Sequence, residues 1–240
     1  VQNNVFLSTA YCGLWNGVRW LAGGLGTLGF ATIGMSTDGQ NWILLSTNLT
    51  TSCRGIAWGN NRYVIVGTGT NSVNYSQDSS GLFWGTLSLA STFSTAGYGV
   101  AYGRDRFVAV GAGTNKIIYS IATALATWTV ASTTIFSTAG WGITYGKDIF
   151  VAVGEGNNSI AYSSDYTGTT WTGTAVNPFS TRGNAIAFNG SIFVAVGEGS
   201  VNTIAYSTDG INWSGAGNAI LTSGYLSLIH ISEPTRRYAI

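Results

Sequence analysis

Apolar residues in this chain come in short runs that return in step. WLAGG ends at Gly24, YVIVG at Gly67, and FVAVG at Gly111, Gly154 and Gly197, at intervals of 43, 44, 43 and 43 residues. Each run is apolar at successive positions, so it predicts a strand covered on both faces rather than the alternating strand of a half-solvated sheet. A second run precedes it in phase: GIAWG at 55–59, GVAYG at 99–103, GITYG at 142–146 and NAIAF at 184–188. Tryptophans mark a third phase, at Trp42, Trp84, Trp128, Trp171 and Trp213, with intervals of 42, 44, 43 and 42. Three anchors in one phase establish a tandem repeat.

Each unit predicts four short strands. In the fourth unit they fall at about 141–145, 149–154, 160–163 and 170–174. GNNR (59–62), GRDR (103–106) and GKD (146–148) separate the first strand from the second. Gly, Asn and Asp accept positive φ, so these are hairpin turns between antiparallel strands. Four antiparallel strands per unit, sandwiched between neighbours, predict an all-β fold: a β-propeller of four-stranded antiparallel blades. Five repeats of about 43 residues are visible, and the array is open to further units. A stacked β-solenoid is the rival, but its repeats are usually shorter. The blades fall at roughly 11–45, 54–87, 98–131, 141–174 and 184–215, within a repeat domain at 1–225. Residues 217–225 (GNAILTSGY) read as the approach to a sixth unit.

The third and fourth strands are joined by a recurrent turn. Ser36, Asp38, Gly39 and Trp42 form one copy, and Ser207, Asp209, Gly210 and Trp213 another. Ser76, Asp78, Gly81 and Trp84, and Ser163, Asp165, Gly168 and Trp171, are longer versions. The pattern resembles the Asp-box (BNR) repeat of sialidase-like and photosystem-assembly-factor-like propellers. It departs in the Asp-to-Gly step, which is one or three residues here, whereas Gly to Trp stays at three. The third unit, Ser120 to Trp128, has lost both Asp and Gly. The chemistry expected of the turn is structural. The carboxylate accepts backbone amides, Gly supplies an unusual backbone conformation, and Trp fixes the turn against the blade. One carboxylate per turn is far from the six to eight oxygens that calcium takes, so no metal is expected.

After Tyr225 the repeat stops. LSLIHISEPTR (226–236) resembles the in-frame translation of a transposase sequencing adapter. On that resemblance, 226–240 is an artefactual tail and the chain an open-ended fragment of an environmental gene, and the stretch is set apart from fold reasoning.

Composition narrows the function. Charged residues are 8% of the chain, where about 25% is usual. A formal net charge of +1 leaves no electrostatic footprint for nucleic acid. No apolar run of about 18 residues predicts a membrane span. The 2 cysteines are too few for a disulfide framework, and they lack zinc spacing. Cys12 and Cys53 start neighbouring first strands, where either an inter-blade bridge or, as is more usual, buried free thiols would fit. No cofactor is expected. Low charge with abundant Thr, Ser and Gly leans weakly towards an extracellular or virion-associated setting.

Propellers usually bind ligand at the end away from the Asp-containing turns. Here that face is built by the lead-in loops 93–97 (FSTAG), 136–140 (FSTAG) and 179–183 (FSTRG) and by the loops after the second strands. One equivalent position per blade follows: Tyr11, Arg54, Tyr98, Trp141 and Asn184. These five should encircle one mouth of the central channel. Aromatic faces with polar neighbours suit a sugar ring, which has an apolar face and a polar rim. The more usual role of such residues is to plug the channel or cap the blade cores. Glu155 and Glu198 share a position in adjacent blades. A carboxylate pair is what glycoside hydrolysis needs, but repeated loop acids are usually solvated. Sialidase-like enzymes hold a substrate carboxylate with three arginines. Only Arg54 and Arg182 lie near this face, so no triad assembles and no catalytic residue is carried over. The sequence therefore predicts a non-catalytic binding or scaffold module for protein or glycan. A glycosidase fragment using Glu155 and Glu198, and a purely structural repeat of a viral or surface protein, are the alternatives.

Overall fold

The computed structural model describes residues 9–27, 31–47, 49, 51–85, 93–131, 135–217, 221, 223–224 and 230–231. Every regular element in it is a β-strand. The first unit contains β1 (Ala10–Trp15), β2 (Trp20–Thr27), β3 (Ala31–Ser36) and β4 (Ile43–Ser46). The second contains β5 (Ser52–Gly59), β6 (Arg62–Thr68) and β7 (Val73–Tyr75), with a single bridge from Ser76 to Trp84 in place of a fourth strand. The third contains β8 (Ala96–Gly103), β9 (Arg106–Ala112), β10 (Ile117–Ile121) and β11 (Thr129–Val130). The fourth contains β12 (Ala139–Gly146), β13 (Ile149–Glu155), β14 (Ile160–Ser163) and β15 (Trp171–Gly173). The fifth contains β16 (Arg182–Phe188), β17 (Phe193–Glu198), β18 (Ile204–Ser207) and β19 (Ser214–Gly215). Each unit is an antiparallel meander, and the units together form a β-propeller array.

The three hairpin turns share one backbone geometry. Asn60–Asn61, Arg104–Asp105 and Lys147–Asp148 all have positive φ at both positions, between 46° and 64°. Such two-residue turns match the twist of the strands they join. The Tyr102 hydroxyl donates to Asp105 at 3.0 Å, and the Tyr145 hydroxyl to Asp148 at 3.1 Å, bracing two of these hairpins.

The core lies between blades rather than within one. Val64, Val66 and Val73 of the second unit pack with Phe93, Val100, Phe107 and Trp128 of the third. Val108 and Val110 pack with Phe136, Ile143, Phe150 and Trp171 of the fourth. Val151 and Val153 pack with Phe179, Ile186, Phe193 and Trp213 of the fifth. This explains the doubly apolar second strands: each presents one face to the blade before it and the other to the blade after it. Blades approach closely because glycine ends the first strand. The rings of Tyr102, Tyr145 and Phe188 lie where a Cβ on Gly59, Gly103 and Gly146 of the preceding blade would stand.

At the opposite end, a residue at or near the end of a second strand pairs with the start of the next first strand. Leu25 pairs with Ser52, Ala112 with Ala139 and Glu155 with Arg182. Beyond β19, the Gly224 amide donates to the Gly197 carbonyl at 3.0 Å. A Cβ on Gly224 would meet Val196, just as one on Gly97, Gly140 or Gly183 would meet Val66, Val110 or Val153. Gly224, within the stretch read as the approach to a sixth unit, thus docks in the repeating manner. Within the stretch set apart as a tail, β20 (His230–Ile231) pairs in parallel with Leu14 and Trp15 of β1. Tyr225, 226–229 and 232–240 lie outside the described residues.

Candidate functional site

Five first strands share one irregularity, and it falls on the five predicted positions. The pairing of β1 with β2 skips from Ala10 to Cys12, and that of β5 with β6 from Cys53 to Gly55. Likewise it skips from Gly97 to Gly99, from Gly140 to Gly142 and from Gly183 to Ala185. The residue stepped over is Tyr11, Arg54, Tyr98, Trp141 and Asn184 in turn. A bulge leaves one residue unpaired and re-aims its side chain. Here all five line one cavity of about 160 Å³, together with Cys12, Ile56, Val100, Ile143 and Ile186.

The side chains are stacked in chain order. The Arg54 guanidinium lies 4.8 Å from the Tyr11 ring centroid and 5.6 Å from that of Tyr98. Tyr98 and Trp141 stack at 4.3 Å with 23° between planes. Arg182 lies 5.2 Å from the Trp141 ring. Cation–ring contacts of this kind strengthen where water is excluded.

The charges are not equally neutralised. Arg182 pairs with Glu198 at 2.8 Å, and the Asn184 amide donates to the same carboxylate at 3.3 Å. The Asn184 amide also donates to the Gly224 carbonyl at 2.8 Å. The Trp141 indole N–H donates to Glu155 at 3.4 Å. Arg54 makes no ion pair among the described residues, and its buried Nε has no hydrogen-bond partner. Glu155 and Glu198 are therefore not the solvated loop acids expected from sequence. They end β13 and β17, half-buried, and hold residues of the mouth in place. Arg182 is the contributor the sequence reading left out of the site. Its signal is a break in phase: the equivalent residues of the two preceding lead-in loops are Ala96 and Ala139.

The Ser–Asp–Gly–Trp turns stand at the other end of the array, beside the hairpins: Arg62 of a hairpin donates to the Ser76 carbonyl at 3.2 Å. Ser36 accepts from the Gly39 amide at 2.9 Å, and Asp38 accepts from the amides of Gln40 and Asn41 at 2.8 and 2.7 Å. Ser207, Asp209 and Gly210 repeat this arrangement, with Ile211 and Asn212 as donors to Asp209. In the longer turns Asp78 accepts from the Ser80 amide at 2.8 Å, and Asp165 from the Thr167 and Thr170 amides at 3.1 Å each. Gly39, Gly81, Gly168 and Gly210 all have positive φ, between 70° and 81°. The indole N–H of Trp42, Trp171 and Trp213 donates to the carbonyl of Gly39, Gly168 and Gly210 at 3.1, 2.9 and 3.0 Å. Trp128 does the same to Leu125 at 3.0 Å although its turn has no Asp or Gly. Trp84 is the exception, with a buried indole N–H that lacks a partner. The Asp38 carboxyl is held well below the usual range, chiefly by the Asn41 amide, then by the Asn41 side chain, Gln40 and Ser36. For Asp209, burial pushes upward, but hydrogen bonds from Asn212, Ile211 and Ser207 together outweigh it, so the net direction is down.

No protein-family model and no curated protein matches the chain. Solved structures do. The computationally designed Ika8 protein aligns with a TM-score of 0.60 at 13% identity, over 85% of this chain and 59% of that one. YCF48 bound to D1 peptide aligns with a TM-score of 0.60 at 16% identity, over 89% of this chain and 68% of that one. The chain thus spans about three-fifths to two-thirds of the length of these propellers, and the likeness is one of fold.

Proposed function

We propose that the chain is a non-catalytic binding module whose channel mouth receives an acidic peptide segment. One observation carries this reading: Arg54 is half-buried between Tyr11 and Tyr98 at the cavity, makes no ion pair among the described residues, and has a buried Nε without a hydrogen-bond partner. A buried donor without a partner is costly, and a ligand carboxylate would supply the missing acceptor. The likeness to a propeller solved with a peptide bound lends support. A peptide is favoured over a glycan by the stacking. The rings of Tyr98 and Trp141 cover one another, and Arg54 and Arg182 lie against them. Little open aromatic face is left for a sugar ring.

Glycosidase chemistry is disfavoured by the same geometry. Glu198 is tied to Arg182, and Glu155 accepts from Trp141, so both acids serve neighbouring side chains.

The test is a binding titration with acidic and neutral peptides, read by isothermal titration calorimetry. Arg54→Ala should weaken binding of the acidic peptides about tenfold or more, from the loss of one charge-assisted contact. It should leave the melting temperature unchanged within a degree or so. Equal affinity for acidic and neutral peptides, or binding indifferent to both Arg54→Ala and Trp141→Ala, would remove the proposal. Turnover on a panel of aryl glycosides would replace it with the enzyme reading.

A further inference from the structure

Three of the four junctions between the five described blades carry the same three-residue contact. Gly55 and Gly97 flank Val66, Gly99 and Gly140 flank Val110, and Gly142 and Gly183 flank Val153. In each case one glycine belongs to the same blade as the valine and the other to the next blade. At the first junction the pattern is inverted. Cys12 and Cys53 stand in the two glycine positions, and Gly23 stands in the valine position. A Cβ on Gly23 would meet both sulfurs at 2.6 Å. The space that a valine fills elsewhere is filled here by two thiols facing each other, with Sγ atoms 4.0 Å apart.

We propose that Cys12 and Cys53 are an oxidisable pair that forms a disulfide staple between the first two blades. The inference does not rest on the peptide-binding reading. The sulfurs need to approach from 4.0 Å to about 2.0 Å, and the absent side chain of Gly23 leaves nothing between them. Access is one-sided. Cys53 is fully buried, whereas Cys12 is half-buried and lines the channel-mouth cavity. A small disulfide such as oxidised glutathione therefore meets Cys12 first. The Cys12 thiolate attacks one sulfur of the small disulfide, forming a mixed disulfide and expelling one glutathione thiolate. The Cys53 thiolate then attacks the Cys12 sulfur and expels the second. Two protein thiols lose two electrons and two protons, and the small disulfide is reduced to two thiols. Burial pushes the Cys53 thiol up, which lowers its thiolate fraction for this second attack.

The staple would fix more than the blades. Tyr11 and Arg54 are the immediate chain neighbours of the two cysteines, and both are bulge residues of the mouth. Closing the bond tethers the first cation–ring pair of the stack.

The experiment uses the whole chain in its native state, exposed to oxidised glutathione at about pH 8 and then alkylated under denaturing conditions. The expected result is a monomer about 2 Da lighter than the reduced protein, with no alkylation and with Cys12 and Cys53 in one cross-linked peptide. Its melting temperature should rise by about 5 °C or more, reversibly with dithiothreitol, because the unfolded chain is cross-linked across a long loop. Gly23→Val restores the residue used at the other junctions while keeping both thiols, and it should abolish the bridge. Two alkylated thiols after oxidation of the native protein, a glutathione adduct that never resolves, or a covalent dimer would each overturn the proposal. Those readouts need no ligand, so they stand whether or not a peptide binds.

Discussion

Asp38 and Asp209 show what a carboxylate does for the backbone of a recurrent turn. Each carboxylate gathers amide donors from its own loop, and each sits below the usual carboxyl range as a result. The sign of the linkage follows. A depressed folded-state pKa stabilises the protein at pH values above the unfolded value, and that contribution disappears as the pH falls through the folded one. The melting temperature should be flat from neutral pH down to about 5, then drop below about pH 4. Asp209→Asn keeps an acceptor but removes the titrating proton, so a differential scan should show a shallower acid limb. An acid limb unchanged by this substitution would mean that other carboxyls carry it. The role of Asp in these turns is readable from a single sequence because the bonding is local. What Trp84 lacks is not readable, since its spacing from Gly81 is the same as in its partnered counterparts.

The hairpins and bulges belong to the element scale. Turn chemistry located the hairpins in the sequence, because residues that tolerate positive φ cluster between the first and second strands. Lys147 departs from that chemistry: it holds φ at 47° with an ordinary side chain. Lys147→Asn should stabilise the chain by about 0.5–1 kcal/mol, measured by denaturant unfolding, because Asn accepts this conformation with less strain. No gain would show that the turn is held by its neighbours rather than by its own residues. The bulges explain why the site positions could be located but not explained from the chain alone. Phase along the repeat identified Tyr11, Arg54, Tyr98, Trp141 and Asn184 as equivalent. It did not show that each is the unpaired residue of its strand, because a bulge is a relation between two strands. The ties from Glu155 and Glu198 back to the mouth were hidden for the same reason.

For the whole molecule, the period carried most of the architecture. A run apolar on both faces, met five times, leaves blade-to-blade packing as the way to bury it. The direction of nesting is a property of assembled coordinates. The third, fourth and fifth blades each set an aromatic ring on the glycine of the blade before, and no spacing in the chain specifies that polarity. Gly103→Val should therefore cost about 2–3 kcal/mol by wedging a side chain against Tyr145. Gly13→Ala is the control, since a Cβ there makes only an ordinary contact at 3.9 Å, and its effect should stay within about 0.5 kcal/mol. Equal losses from the two would deny that the close approach is specific.

The five bulges carry one more implication. A side chain that takes no part in strand pairing can be exchanged while the ladder beneath it is left intact. The mouth therefore reads as a short word, Tyr-Arg-Tyr-Trp-Asn, spelled one letter per module. On the proposed binding role, rewriting that word, by swapping modules or single letters, should change which segment the mouth accepts while the scaffold stays the same.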